Sequence, residues 1–296
     1  MKNKALLIIQ ALILVVAVAY LVFMPQKISM HFEDNMYNEW LKRKMPDETH
    51  VLTLWHIVEF KPFSGSLSSY FSDYSKKFEK KNKGVFIESL TMTTDEYEER
   101  IGRGESADIY SFPLSLIDSV PIKSAVYREK TYLFDTSKYG SENGERRAVP
   151  YALSGSFLVG NSEKLQKDNI EFSRQNIDFL MENISENEEF LTGKAQLTVV
   201  DAGTLGTYVR KYESGKGFMV DAIPIIEEER LLQFLGISDT LDGKRRELAT
   251  AFIDELFDKE QTEKLCKIGL IPTVENEEAT KKFENQYIEE LYKLVS

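Results

Sequence analysis

An alternation of strand and helix patterns between residues 51 and 113 constrains the fold more than any other feature of the sequence. Residues 51–58 are rich in β-branched and aromatic side chains, which predicts a strand. An apolar stripe at steps of three and four residues then predicts a helix through Leu67, Tyr70, Phe71, Tyr74 and Phe78. Residues 85–92 and 107–112 predict two more strands, with a short helix capped by Thr94 between them. This order predicts βαβ units, and therefore an α/β fold with a mainly parallel sheet.

Ligands of open α/β sheets bind beyond the carboxyl ends of the strands. The end of the first strand therefore makes Trp55 and His56 candidate ligand contacts, since an indole can stack on a solute and an imidazole can hydrogen-bond to it. Glu59, in the following loop, and Phe112, at the end of the third strand, are further candidates. The alternatives are core packing for the two aromatic residues, a satisfied strand-end position for the histidine and a solvated surface for the glutamate.

A largely apolar stretch, residues 149–161, lies between two segments of alternating strands and helices. Proline has no N–H to donate to a sheet, so Pro150 is better placed near the start of an extended segment than in its middle. We hypothesise that this stretch crosses between two lobes and contributes to the cleft between them. Tyr151 and Ser154 are then candidate ligand contacts, with backbone capping as the alternative for the serine.

The second half of the chain has patterns of the same kind. They predict strands at 193–200, 222–225 and 231–237, and helices at 164–183, 248–257, 260–268 and 277–295. Residues 201–206 are small and predict a loop, in which Gly203 and Thr204 could present backbone amides to a ligand. An ordinary tight turn is the alternative for this loop.

Charge and cysteine content exclude several classes of function. The formal net charge of −11 repels nucleic acid, so no nucleic-acid partner is expected. The single cysteine, Cys266, excludes an intramolecular disulfide and a multi-cysteine metal site, and its apolar surroundings indicate an inert core thiol. No metal or cofactor is predicted.

The N-terminus predicts the compartment. Lys2 and Lys4 precede a run of mostly apolar residues at 5–24, and Pro25 ends it. Twenty residues at ~1.5 Å each would cross a ~30 Å hydrocarbon core, which predicts an uncleaved signal anchor at residues 1–25 that contacts the lipid bilayer through residues 5–24. The lysines place the N-terminus in the cytoplasm and the main domain outside the cell membrane.

Two further points concern this terminal region. An Ala-x-Ala pattern at residues 17–19 leaves a cleaved signal peptide, and hence secretion, as the alternative. Residues 26–49 are mixed and charged and are interpreted as a juxtamembrane spacer.

Three stretches, in this order, carry a resemblance to a known family. The first comprises LTLWH at 52–56, YSKKFEKKNKGV at 74–85 and ADIY at 107–110. The second is VPY at 149–151, continued to Asn161. The third comprises LGIS at 235–238, the helix at 249–257, EQ at 260–261 and GLIP at 269–272. Together they resemble the extracellular solute-binding proteins of ABC importers, most closely the carbohydrate-binding group.

The resemblance implies two α/β lobes that close on a small-molecule solute, with ABC permease subunits as partners. Lobe 1 would comprise residues 50–149 and 224–275, and a reduced lobe 2 would comprise residues 150–223 and 276–296. The hinge would then contain Val149 and Pro150 on one crossing and Ile223 and Pro224 on the other. The 201–206 loop lacks the tryptophan that is often found there in the family.

Two functions of different classes follow. The first is a membrane-tethered binding protein that delivers a small solute, for instance a sugar or oligosaccharide, to an importer. The second is the same fold reused as a membrane-anchored interaction or sensory module without transport. A hydrolase is the least favoured interpretation, because the chain contains no G-x-S-x-G, Walker, H-E-x-x-H or G-x-G-x-x-G motif.

Overall fold

The computed structural model describes residues 49–125, 127–134, 139–142, 145–225, 231–276, 278 and 281–296. The predicted anchor at residues 1–25 and the predicted spacer at residues 26–49 lie outside the described residues, apart from Thr49. Within the described part of the chain, no helix has both the length and the apolar character needed to cross a membrane. Residues 50–296 group together as one compact unit.

The larger of two main sheets has six strands. They are β1 (His50–Ile57), β2 (Val85–Met92), β3 (Ile109–Pro113), β6 (Ala148–Leu153), β10 (Leu232–Ile237) and β11 (Ile271–Pro272), in the spatial order β11-β6-β10-β3-β1-β2. Strand β1 is parallel to β2 and β3, whereas β10 is antiparallel to β3 and β6, and β11 is antiparallel to β6. Strands β4 (Ser141–Glu142) and β5 (Glu145–Arg146) form a separate antiparallel pair.

The prediction of mainly parallel sheets is therefore wrong, and the fold is mixed α/β. Helices Leu67–Lys81 and Thr94–Gly102 provide the crossovers that the parallel neighbours β1, β2 and β3 require. Strand β10 is antiparallel to β3 and therefore enters the larger sheet in the opposite direction.

The helices of the larger sheet form where the apolar pattern predicts them. They are α1 (Leu67–Lys81), α2 (Thr94–Gly102), α7 (Gly243–Leu256) and α8 (Lys259–Lys267), with a 3-10 turn at Leu114–Leu116. The Ser66 hydroxyl caps α1, whose apolar stripe is buried. Helix α2 is capped by Thr93 rather than Thr94, because Thr93 and Glu96 form a reciprocal capping box.

The smaller sheet has three strands and is antiparallel throughout. Strand β7 (Ser156–Asn161) lies between β8 (Leu197–Asp201) and β9 (Val220–Ile225). Its helices are α3 (Ser162–Lys167), α4 (Ile177–Met181), α5 (Asn187–Leu191) and α6 (Ala202–Glu213), with a 3-10 turn at Arg174–Asn176. The region predicted as helical at 164–183 is thus three short pieces, and the strand predicted at 193–200 begins only at Leu197.

The loop predicted at residues 201–206 is instead the start of helix α6. The Asp201 carboxylate accepts a hydrogen bond from the Thr204 backbone N–H at 2.7 Å, which caps the helix. The first two turns contain several small residues, and the two glycines among them, Gly203 and Gly206, gave the misleading turn signal.

The last helix, α9 (Gln286–Val295), is shorter than the predicted 277–295, because the Asn285 side chain caps it at Tyr287. Helix α9 lies against the smaller sheet, where the Tyr287 hydroxyl donates to the Val220 carbonyl at 3.1 Å. The side chains of Ile288 and Leu291 are buried.

The chain changes sheet between Leu153, the end of β6, and Ser156, the start of β7. Of the predicted hinge residues, Val149 and Pro150 lie in β6 of the larger sheet, and Ile223 and Pro224 lie in β9 of the smaller sheet. One apolar core includes side chains from both sheets, among them Phe112, Phe157 and Phe234. The lobe boundaries inferred from the sequence stay predictions.

Candidate functional site

The carboxyl ends of β1 and β3 meet at one edge of the larger sheet. There the Ser115 hydroxyl donates to Glu59 Oε2 at 3.2 Å, and both side chains are exposed. Glu59 belongs to the β1–α1 loop, residues 58–66, which joins the first strand to the first helix. This edge is where an open α/β sheet presents its ligand-binding groups.

The β1–α1 loop lies directly on helix α6 of the smaller sheet. A Cβ added to Gly203 would lie 2.9 Å from the Lys61 carbonyl oxygen, and one added to Gly206 would overlap the Phe63 carbonyl oxygen. Arg210 Nη1 donates to the same Phe63 oxygen at 2.7 Å. Each glycine within a helix costs about 1 kcal/mol relative to alanine. The close approach of the two backbones accounts for glycine at both helical positions.

The same loop is also fixed to helix α8 of the larger sheet. The Ser64 N–H donates to the Ile268 carbonyl at 3.0 Å. A Cβ added to Gly269, just beyond the end of α8, would overlap Cβ of Phe63. Phe63 is buried. The loop therefore bridges the two sheets and is fixed on both sides.

The first turn of α6 contains two of the predicted ligand contacts, Gly203 and Thr204. The Thr204 N–H is already bonded to the Asp201 carboxylate, and its side chain is partly exposed. Gly203 is buried under Lys61. The Thr204 amide is thus occupied by the helix cap, and Gly203 is covered by the β1–α1 loop rather than lying on an open surface.

A buried polar cluster connects four strands of the larger sheet, β1, β3, β6 and β10. His56 Nδ1 lies 2.9 Å from Ser111 Oγ, which lies 3.1 Å from the Tyr151 hydroxyl. Gln233 Nε2 donates to Ser111 Oγ at 3.2 Å and to the Ile57 carbonyl at 2.9 Å. His56 Nε2 has no hydrogen-bond partner among the described residues. Two predicted site residues, His56 and Tyr151, are thus brought together through Ser111.

Burial determines the protonation of this cluster. It lowers the pKa of His56 from 6.5 to about 3, so the imidazole is neutral at physiological pH. Burial also raises the pKa of Tyr151 far above its ordinary value, although the Ser111 hydrogen bond opposes the shift. The sequence argument missed Ser111 and Gln233. The only sequence signal for these two residues was that each is a polar residue inside an otherwise apolar strand.

The remaining predicted contacts lie in the core. Trp55 is edge-on to Tyr97 and Tyr110, with ring centroids 6.4 and 5.9 Å away. Phe112 stacks on Phe234 at 6.0 Å. Ser154 is buried, and its hydroxyl has no partner among the described residues. Of the eight predicted ligand contacts, only Glu59 and Thr204 are even partly exposed.

Two adjoining surface pockets lie elsewhere on the larger sheet, between helix α7 and the segment that leads into β6. Their volumes are about 500 and 330 Å³, and both are lined by Ala125 and Arg146. The guanidinium of Arg146 lies 5.0 Å from the centre of the Tyr132 ring. The larger pocket contains two arginines and two glutamates, so its charge is balanced. Over the described residues, no cluster of His, Cys, Asp and Glu is placed to hold a metal ion.

Solved structures with a similar fold include sugar-binding proteins. The chain resembles an ABC substrate-binding protein, Lmo0181, from Listeria monocytogenes in complex with cycloalternan, with a TM-score of 0.60, 11% identity and coverage of 84% of this chain and 86% of that one. It also resembles the cyclic alpha-maltosyl-1,6-maltose binding protein from Arthrobacter globiformis, with a TM-score of 0.63, 10% identity and coverage of 83% and 87%. For the maltose-bound MalE3 of T. maritima the TM-score is 0.59, the identity 14% and the coverage 83% and 88%.

No family model matches the chain, and no curated protein sequence matches it. The resemblance to carbohydrate-binding substrate-binding proteins of ABC importers, inferred from three sequence stretches, is confirmed by the fold. These neighbours are binding proteins rather than enzymes.

Proposed function

We propose that the chain is an extracytoplasmic solute-binding protein whose ligand, a sugar or short oligosaccharide, is held where the larger sheet meets helix α6. One observation carries the proposal. Glu59 and Ser115 lie at the edge of the larger sheet where strands β1 and β3 end, and the β1–α1 loop at this edge packs on the first turns of α6. This is the arrangement of a ligand site between two parts of an α/β protein.

The exposed groups at this edge suit sugar hydroxyls. The Glu59 carboxylate accepts hydrogen bonds, the exposed Lys61 ammonium donates them, and the Ser115 hydroxyl does both. The predicted aromatic contacts are buried, so recognition here would depend on hydrogen bonds rather than on ring stacking.

Thermal unfolding of the full chain in detergent micelles tests the proposal. Maltose, maltotriose and maltohexaose are titrated, and a bound sugar at ~100-fold its Kd stabilises the native state by about 2.7 kcal/mol. We expect Glu59→Gln to weaken binding about tenfold or more, because a charge-assisted hydrogen bond contributes about 1.5–3 kcal/mol. Glu182→Gln, at an exposed position at the end of α4, is the matched control and leaves affinity unchanged.

A second candidate function has its own observation. The aromatic residues predicted to contact a solute, Trp55, Phe112 and Tyr151, are packed in the core. Their burial favours the fold reused as a membrane-anchored interaction or sensory module without transport. If no sugar raises the unfolding midpoint, and Glu59→Gln behaves like Glu182→Gln, this second function is the better one.

Tethering and transport complete the proposal. Residues 1–25 would anchor the chain in the cell membrane, residues 26–49 would be the spacer, and the rest would lie outside the cytoplasm beside ABC permease subunits. The charge pattern around the apolar run at residues 5–24 supports this orientation. Protease treatment of intact cells tests it. An extracytoplasmic domain is digested without lysis, whereas a cytoplasmic one is protected.

A further inference from the structure

We propose that the β1–α1 loop is an internal latch that holds the two sheets together over the solute site when no solute is bound, and that Gly203 and Gly206 are the residues that let it engage. The inference concerns the regulation of the proposed solute site and rests on that function. It does not follow from the fold alone, because it depends on two glycines of this chain.

The contact with α6 has the geometry of a specific closure. Gly203 and Gly206 are three residues apart in the helix. The Lys61 carbonyl packs against the Cα of Gly203, and the Phe63 carbonyl packs against the Cα of Gly206. A side chain at Gly203 would meet Cβ and the carbonyl oxygen of Lys61, and one at Gly206 would meet the carbonyl oxygen of Phe63, rather than the end of a flexible side chain. The Arg210 guanidinium then satisfies the Phe63 carbonyl.

The contact couples the two sheets because the loop is not a free flap. Its far side is tied to α8 through the Ser64 N–H and the Phe63 side chain against Gly269. The Ser66 hydroxyl at its end caps helix α1. Movement of the loop away from α6 therefore moves the smaller sheet relative to the larger one.

The latch competes with solute for the same surface. Lys61 and Phe63 cover the first two turns of α6, and Glu59 of the same loop is a proposed solute contact. A protein that rests in a latched state binds solute with an apparent Kd raised in inverse proportion to its unlatched fraction. Loss of the latch should therefore increase both the separation of the sheets and the apparent affinity for solute.

A distance measurement without solute tests the latch. Spin labels are placed on the full chain at Asp118→Cys, beyond β3, and Glu213→Cys, at the end of α6, both exposed positions. Native Cys266 is buried, and burial raises the pKa of its thiol to about 12, so it stays unlabelled. Electron–electron double resonance then gives the distance between the sheets. We expect Gly206→Ala to shift the main population to a longer distance.

Gly102→Ala is the matched control, since a Cβ at this helical glycine meets no atom within 4 Å. It should keep the wild-type distance. An unchanged distance in Gly206→Ala would overturn the proposal. If Gly206→Ala does not fold, Arg210→Met decides the question in the same way. It removes the donor to the Phe63 carbonyl, together with an exposed hydrogen bond to Thr207 within α6. A longer-distance population supports the latch, and its absence refutes it.

Maltotriose titration of the same variants separates the latch from the proposed function. A longer distance in Gly206→Ala without sugar binding to any variant supports the latch and refutes the sugar-binding function. Sugar binding to the wild type with an unchanged distance in Gly206→Ala supports the function and refutes the latch. Where both hold, Gly206→Ala binds maltotriose more tightly than the wild type and Gly102→Ala does not.

Discussion

His56 Nδ1 lies 2.9 Å from the Ser111 hydroxyl inside the six-stranded sheet, and burial keeps the imidazole neutral. The histidine is the penultimate residue of the first strand and the serine is its register partner on the third, so the pair joins two parallel neighbours of the sheet. Tyr151 and Gln233 extend the link to the strands beyond. The four residues form a buried polar cluster close to the sheet edge that carries the candidate site.

The neutral histidine makes stability depend on pH. The pKa of His56 is lowered from 6.5 to about 3 by burial, so its contribution is fully present above about pH 6.5. It is lost as the pH falls from there toward 3, because the unfolded chain then binds a proton that the folded chain does not. The loss is about 1.4 kcal/mol for each pH unit.

Urea unfolding between pH 7.5 and pH 5 measures this dependence. His56→Gln should flatten the curve below pH 6.5, whereas Ser154→Ala, which alters a buried side chain that carries no titratable group in this range, should retain the wild-type slope. An equal slope in His56→Gln and the wild type would mean that the imidazole does not resist protonation in the folded chain.

Ser111 is the centre of the buried cluster, so its loss should affect three partners at once. Ser111→Ala leaves His56, Tyr151 and Gln233 each without one hydrogen bond in the interior. We expect a loss of about 2–4 kcal/mol in the free energy of unfolding. Ser154→Ala is the matched control, because that buried hydroxyl has no partner among the described residues, and it should cost less than about 1 kcal/mol. Similar losses in the two variants would contradict the network.

A buried ion pair joins helix α7 to the segment before β4. Lys130 Nζ lies 2.8 Å from Asp254 Oδ1, both side chains are 8% exposed, and the Arg128 N–H donates to the same carboxylate oxygen at 2.9 Å. Asp254→Asn leaves the lysine charge buried without its counter-ion and should cost about 3–5 kcal/mol. Glu247→Gln removes the exposed partner of Lys244 and should cost no more than about 1 kcal/mol. Chemical denaturation distinguishes the two, and equal effects would show that the Lys130 pair is solvated.

Helix α9 is held by a leucine over the point where the chain changes sheet. A Cβ at Gly155 would overlap Leu291, which is 2% exposed. Leu291→Ala should therefore cost about 2–5 kcal/mol through lost burial and the cavity that remains. Leu191→Ala, at a site that is 42% exposed, should change stability by about 0.5 kcal/mol or less. A small effect of Leu291→Ala would mean that α9 repacks without it.

The sequence by itself determined those elements whose signal is local. The stripe from Leu67 to Phe78 predicts helix α1, and the β-branched run after His50 predicts strand β1, because a period of 3.6 or a dense β-branched run does not depend on distant contacts. The three quoted stretches, in their order, were enough to predict the fold of the sugar-binding substrate-binding proteins.

Only the tertiary structure decided strand direction, burial and the closeness of the loop to α6. Strand β10 has the same apolar pattern in either orientation, so the pattern could not indicate its antiparallel pairing with β3 and β6. The same aromatic pattern suits a cleft wall or a core, and Trp55 and Phe112 lie in the core because other aromatic rings cover them. Gly203 and Gly206 looked like a turn. Both glycines instead pack against the backbone of the β1–α1 loop. No local pattern can predict this contact, because the residues that form it are far apart in the chain.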